Sequence, residues 1–193
     1  MKETTKSALR RSRDPAFITQ YFRGNGVDIG AGDNPLSAHQ RFFPLIKNVV
    51  PWDRPQGDAQ TMPGIVAATF DFVHSSHCLE HMVDPAQALA RWIEIVKPGG
   101  YIIITVPDEA LYEKMQWPSR FNDDHKFSFT ICEPTKRLPR SINVTELVTS
   151  LTHVAACERI QLVREYYDES QPNVDQTAIG EAECAIEIVL RRR

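Results

Sequence analysis

Short apolar runs alternate along the chain with stretches of helical period. Phe17, Ile18, Tyr21 and Phe22 recur at helical spacing behind Asp14-Pro15, an N-cap and a residue suited to a first turn, so a short helix is predicted, ended by Gly24 and Gly26. Val27, Asp28 and Ile29 form a short buried strand that runs into the turn at residues 30–35. A helical or irregular segment over residues 38–45 leads to a second strand at residues 48–50, which ends near Trp52 and Asp53. Residues 70–76 are a third apolar run. Ala86, Leu89, Ala90, Ile93 and Val96 recur at three and four, which predicts a helix over residues 84–96, opened by Asp84-Pro85 and stopped by Lys97-Pro98-Gly99-Gly100. Residues 101–106 are a β-branched strand halted by Pro107.

Strands alternating with helices at this spacing imply an α/β fold with a parallel sheet, because parallel neighbours need crossover connections. Residues 107–141 carry prolines, aromatics and charges without a period and are expected to form an elaborated loop, a feature that is usually functional when ordered. Asn143-x-x-Glu146 reads as a capping box opening a helix to about residue 155, followed by strand-like runs at residues 160–167 and 184–190. Residues 1–13 are polar and mostly basic and are expected to be a flexible arm or a weak helix. With 193 residues the chain fits one domain, over residues 14–193.

Composition changes little in that picture: 42% hydrophobic, 24% charged and 9% aromatic residues are ordinary for a globular domain. Charge changes more. Lys+Arg 22 against Asp+Glu 25 gives −3, without the cationic surplus that non-specific nucleic-acid binding requires, so no nucleic-acid partner is expected. Arg10, Arg11, Arg13, Arg191, Arg192 and Arg193 are read as solvated termini. Cys78, Cys132, Cys157 and Cys184 include no C-x-x-C pair and are read as reduced thiols. No run reaches the roughly 18 apolar residues of a membrane span; no membrane insertion and a cytoplasmic location are expected.

The glycine turn carries the first chemistry. A strand, a Gly-x-Gly turn and a helical segment form a ligand platform, since glycines admit close backbone approach. A dinucleotide fingerprint would place a third glycine where Pro35 stands, and Asp28 and Asp33 would repel a pyrophosphate there. A phosphate-free, partly cationic ligand such as S-adenosylmethionine fits better. Asp53, at the end of the second strand, stands where a ribose-binding carboxylate belongs, about 20 positions beyond the glycines.

Val27-Asp28-Ile29-Gly30-Ala31-Gly32, Gly57-Asp58-Ala59-Gln60-Thr61-Met62-Pro63, residues 70–81 ending in His77-Cys78-Leu79-Glu80-His81, and Val96-Lys97-Pro98-Gly99-Gly100-Tyr101 resemble, in order, the motifs of class I S-adenosylmethionine-dependent methyltransferases. The resemblance covers residues 14–108 and implies a Rossmann-like, seven-stranded, mostly parallel sheet with an antiparallel last strand and helices on both faces. It implies that Asp28, Gly30 and Gly32 line the methionine end of the cofactor and that Asp53 binds the ribose. Asp58 and the Ala59 backbone would meet the adenine, and His74 and Ser75 would close the pocket near the sulfonium. Asn34-Pro35 departs from the family, which often has a small residue there. S-adenosylhomocysteine is the implied product. The stretches at residues 21–36, 75–81 and 118–130 resemble a bacterial subgroup, some of whose members are associated with surface-saccharide pathways.

Methyl transfer to oxygen or nitrogen wants a proton acceptor from outside the cofactor motifs. His125, in the loop that follows the 101–106 strand, is the expected base, with Asp124 orienting it; Tyr112, Trp117 and Phe121 would form a wall. His77-x-x-Glu80-His81 also matches a zinc-peptidase pattern in which two histidines four apart face one metal. That site would need a third ligand from a nearby helix, and Leu79-Glu80-His81 is already explained by the resemblance, so no metal is assigned. The expected function is methyl transfer to a small-molecule acceptor, with a non-catalytic cofactor-binding regulatory or scaffold protein as the alternative.

Overall fold

The fold, described for residues 2–131 and 138–193, comes from a computed structural model. Its first helix, α1 (Glu3–Arg11), precedes α2 (Pro15–Tyr21), whose Asp14 cap accepts the Phe17 amide. Strand β1 (Gly24–Ile29) leads through a 3-10 turn at Leu36–Phe42 to β2 (Ile46–Trp52), and β3 (Phe70–Ser76) ends in a 3-10 turn at Leu79–His81. Helix α3 (Pro85–Ile95) has Asp84 as its cap, and β4 (Val96–Pro107) follows directly. Within residues 107–141 lies β5 (Ser128–Thr130), which pairs in parallel with β6 (Ser141–Asn143), so the expected loop is partly built structure. Asn143 caps α4 (Val144–Ser150), which stops short of residue 155 because β7 (Ala155–Val163) begins there; α5 (Gln176–Ile179) and β8 (Ala185–Arg192) complete the chain.

The main sheet runs β2-β1-β3-β4-β8-β7. β1 pairs in parallel with β2 and β3, β3 in parallel with β4, and β8 antiparallel with both β4 and β7. The α/β class and the antiparallel last strand stand. The strand number is corrected, from seven to six among the described residues. Residues 53–69, between β2 and β3, contain Pro55, Gly57, Pro63 and Gly64 and turn repeatedly, with Met62 and Ala68 at positive φ; such a segment cannot sustain a ladder.

Alternation along the strands divides the core. Phe72, Ile103 and Val189 pack on one face with Phe17, Ile18, Phe22 and Phe43. Val73, Ile102, Ile104 and Ile188 pack on the other with Leu89, Trp92, Ile93, Val144 and Leu147. Helices thus cover both faces.

Of the two readings of residues 1–13 the flexible arm is corrected and the helix stands: residues 3–11 are α1, with Thr4, Lys6, Ser7, Ala8 and Arg11 buried. Arg11 and Arg10 are not solvated. Arg11 Nε donates to Glu187 at 2.7 Å and its terminal nitrogens reach Thr105 and His74, while Arg10 bridges Glu183 and Glu187. Lys6 donates to the carbonyls of Thr177 and Ala182 at 2.7 and 3.0 Å. Apolar periodicity does not reveal this helix because its buried face is polar and its partners lie far along the chain, from His74 and Thr105 to Glu187. Arg13 and Arg191, by contrast, are half exposed or more, as expected. Cys78 and Cys184 are buried free thiols and Cys157 an exposed one; Cys132 lies outside the described residues.

Candidate functional site

The strand order reverses between β1 and β3, where β1 is followed in sequence by β2 on one side while β3 lies on the other. In open α/β sheets a crevice forms beyond the carboxyl ends of such strands. Here the turn after β1 is tied to the end of β2 by the Gly30 and Ala31 amides, which donate to the Trp52 carbonyl at 2.9 and 3.2 Å. Gly30 has φ +74, and a β-carbon there would stand 2.5 Å from that of Cys78, so the site admits only glycine without strain. Gly32, at φ +53, donates its amide to Asp53 Oδ2 at 2.7 Å.

A cavity of about 470 Å³ lies against this turn, lined by Gly30, Asp53, Asp58, Ala59 and Asp124 of the expected residues. Arg54, His77, His81 and Lys126 line it as well. Asp58 is held in its own turn, accepting the Gln60 amide and the Thr61 hydroxyl at 3.0 and 2.9 Å.

Asp28, His74 and Ser75 are placed differently from the expectation. They are 1%, 0% and 0% exposed and lie beneath the turn rather than on the crevice wall. Asp28 accepts the Leu36 amide at 2.6 Å and meets His74 Nδ1 at 2.6 Å; His74 Nε2 faces Arg11 at 3.1 Å, and Ser75 donates to the Ile29 carbonyl. The chain Arg11–His74–Asp28–Leu36 anchors the turn from below and ties it to α1.

The pairing of His125 with Asp124 is also corrected. His125 is buried, with Nδ1 at 2.7 Å from Glu113 Oε1, so Glu113 orients it. Asp124 is exposed and faces His81 Nδ1 at 3.2 Å and Arg54 at 3.9 Å. The loop is anchored by the Lys126 and Phe127 amides, which donate to the Glu80 carbonyl at 2.9 and 3.2 Å. Glu80 itself is fully buried and ringed by His77, His81 and His125. Burial pushes its carboxyl upward, but His77 and the other two histidines outweigh that and hold it below the ordinary value. Burial likewise works against protonated His77, and Glu80 and Glu3 outweigh it, so His77 is raised. The Cys78 thiol, desolvated beside Glu80 and Asp53, is pushed up to about 12 and is no nucleophile at neutral pH. His77 has φ +53 and precedes a single 3-10 turn, so His77 and His81 do not share a helix face.

Residues 3–133, more than half of the chain, match the family model for a methyltransferase domain, and the chain belongs to that family. A chain of the complex between the Haloferax volcanii Trm112 methyltransferase activator and a methyltransferase aligns with TM-score 0.65 and 16% identity, over 98% of this chain and 88% of that one. The S-adenosylmethionine dependent methyltransferase from Mesorhizobium loti aligns with TM-score 0.51 and 13% identity, over 98% of each chain. The [4+2]-cyclase SpnF shares the fold too, at TM-score 0.54 and 15% identity, over 94% of this chain and 79% of that one. An uncharacterized 37.1 kDa protein in transposon TN4556 of Streptomyces fradiae is 36% identical over 52 residues, 27% of this chain and 15% of that protein's length.

S-adenosylmethionine is the cofactor that this family and fold imply, and the crevice fits it. Gly30 lines the cavity with backbone free of a side chain, the acidic groups Asp53 and Asp58 suit hydroxyls and a cationic ligand, and the cavity has the volume of a cofactor site. No helix among the described residues is long and apolar enough to cross a membrane.

Proposed function

We propose that the chain transfers a methyl group from S-adenosylmethionine to an oxygen or nitrogen of a small, polar acceptor. The observation that carries this reading is the meeting of the Gly30 turn, Asp53 and Asp58 in one cavity at the switch point of the sheet. When bound, the cofactor supplies a methyl group already activated on a sulfonium. The chain's own task is then positioning and proton acceptance. Gly30 and Gly32 let the methionine end approach the backbone, Asp53 accepts from the ribose hydroxyls, and Asp58 with the Ala59 backbone meets the adenine. Asp28, His74 and Ser75 act from below by fixing the turn that presents these groups.

The remaining lining, Arg54, His77, His81, Asp124 and Lys126, is polar and of mixed charge, which favours a hydroxyl-rich acceptor such as a saccharide-related molecule over an apolar one. Asp124 is the exposed carboxylate of that set and takes the acceptor proton. His125, held behind it by Glu113, positions the loop that carries Asp124.

The test is methyl transfer from S-adenosylmethionine to each acceptor of a panel of sugars, amines and phenols, followed by the S-adenosylhomocysteine left behind. With the acceptor found there, Asp124→Asn lowers kcat by about 10²–10⁴-fold and leaves affinity for S-adenosylhomocysteine unchanged. His125→Ala lowers kcat less, through misplacement of the loop. Binding of S-adenosylhomocysteine with no acceptor methylated would favour a cofactor-binding regulatory protein.

A further inference from the structure

Behind the crevice three imidazole nitrogens converge on one carboxylate oxygen without reaching it. His77 Nδ1 is 3.5 Å, His125 Nε2 3.9 Å and His81 Nε2 4.0 Å from Glu80 Oε1. These separations exceed the roughly 2.7–3.2 Å of N–H···O hydrogen bonds. Neither Glu80 oxygen accepts a hydrogen bond from the described residues, although the residue is 0% exposed. A buried carboxylate in that state is costly unless a cation lies against it.

The distal nitrogens of two of these rings are fixed from behind. His81 Nδ1 lies 3.0 Å from the Asp124 carbonyl oxygen, and His125 Nδ1 lies 2.7 Å from Glu113 Oε1. A carbonyl oxygen only accepts, so His81 donates from Nδ1 and its Nε2 is the nitrogen turned toward Glu80. Glu113 does the same for His125. Proteins orient metal-ligating histidines by this device, a carboxylate or carbonyl on the nitrogen that faces away from the metal. One donor atom each from Glu80, His81 and His125 lie within 4.8 Å of one another. In a tetrahedral zinc site, with bonds near 2.0–2.1 Å, neighbouring donors stand about 3.3 Å apart, so modest side-chain rotation closes the set.

We propose that Glu80, His81 and His125 bind one divalent transition-metal ion, zinc being the best match to a donor set of two imidazoles and one carboxylate. Magnesium and calcium prefer all-oxygen sites and suit it poorly. Three protein ligands leave a fourth position for water, as in open zinc sites, and His81 also lines the crevice. This replaces the expectation of no metal, and the ligand set differs from the His77-x-x-Glu80-His81 pattern. The third ligand comes from the loop after β4, and His77 stands beside the set, backed by Glu3 at 3.6 Å. The site goes beyond methyl transfer and is read without cofactor or acceptor.

The whole chain, stripped with chelator, is titrated calorimetrically with zinc chloride at neutral pH, and separately with cobalt(II) followed by visible absorption. One zinc per chain binds with submicromolar Kd, and cobalt gives an intense visible spectrum without a sulfur charge-transfer band. Glu80→Gln and His125→Ala each weaken zinc binding by about 100-fold, Glu113→Gln by about 10-fold, and His153→Ala, at an exposed histidine, leaves it unchanged. Absence of stoichiometric zinc uptake by the unsubstituted chain overturns the proposal, as does uptake indifferent to Glu80→Gln and His125→Ala. A cobalt–sulfur band would assign the metal to a cysteine such as Cys78 and overturn it also, a readout that needs no variant to fold. Titrating S-adenosylhomocysteine into the same preparation tests the cofactor reading separately.

Discussion

Gly30 and Gly32 share a positive φ but differ in their surroundings, and the difference predicts different outcomes. A β-carbon on Gly32 would meet only Asp53 Oδ2, at 3.9 Å. Gly32→Ala therefore costs about 1–2 kcal/mol from the left-handed backbone alone. On Gly30 the new carbon would also stand 2.5 Å from Cys78 Cβ and 2.7 Å from its sulfur. Gly30→Ala should thus be the more destabilising in urea unfolding, and it should weaken S-adenosylhomocysteine binding at least tenfold by calorimetry. Because the clash involves Cβ as well as sulfur, Cys78→Ala should not rescue Gly30→Ala, whereas Cys78→Gly should. Rescue by Cys78→Ala would show that the close approach lies at the sulfur alone. At this scale the sequence was informative wherever a residue's place in the crevice follows from its position after a strand. Gly30, Asp53 and Asp58 are of that kind. Glu113 and Glu80 were not legible as partners of His125, because their pairing depends on how residues 107–127 fold back over the end of β3, and spacing carries no signal for that.

α1 shows what hydrophobic periodicity misses at the scale of an element. Its buried face is Thr4, Lys6, Ser7, Ala8 and Arg11, and only Ala8 is apolar. α2 and α3, whose buried faces are apolar and whose caps are Asp14 and Asp84, were legible almost to the residue. α1 is held by charge instead, with Arg11 and Glu187 both at most 2% exposed. Arg11→Ala leaves the buried Glu187 with Arg10 alone, so it should cost about 3 kcal/mol in urea unfolding, the lower end for breaking a buried pair. Acid should act through the same pair. Burial by itself would raise the Glu187 carboxyl, but Arg11 and Arg10 outweigh it and hold it at about 2, against an ordinary 4.5. A pKa depressed in the folded state contributes stability that is complete above the unfolded value and is lost as pH falls through the folded one. Urea midpoints should therefore fall between pH 4.5 and pH 2, and Glu187→Gln should flatten part of that fall while lowering stability at neutral pH. An unchanged slope in Glu187→Gln would place the acid-labile group elsewhere.

In the whole molecule, the crevice gathers segments far apart in sequence, namely the Gly30 turn, residues 53–59, residues 77–82 and residues 124–126. The sheet order β2-β1-β3-β4 brings the first three together, since each follows the carboxyl end of one of three adjacent strands. The parallel class and the position of this crevice were legible because strands and helices alternate. The missing seventh strand was not, because the resemblance supplies a family's strand number while Pro55, Pro63 and two glycines locally forbid a ladder. A ligand that ties these segments together stabilises the fold by mass action. At a concentration of S-adenosylhomocysteine 100 times its Kd, the gain is about 2.7 kcal/mol. For a chain of this size, each kcal/mol raises Tm by about 2–4 °C, so the shift should be about 5–11 °C. NAD at the same concentration should give none, since Pro35 stands where a dinucleotide-binding turn has its third glycine. In Gly30→Ala the S-adenosylhomocysteine shift should shrink at equal ligand concentration, and in Asp124→Asn it should persist if Asp124 serves the acceptor, as proposed. Loss of the shift in Asp124→Asn would instead assign Asp124 to the cofactor and move the proton acceptor elsewhere in the crevice.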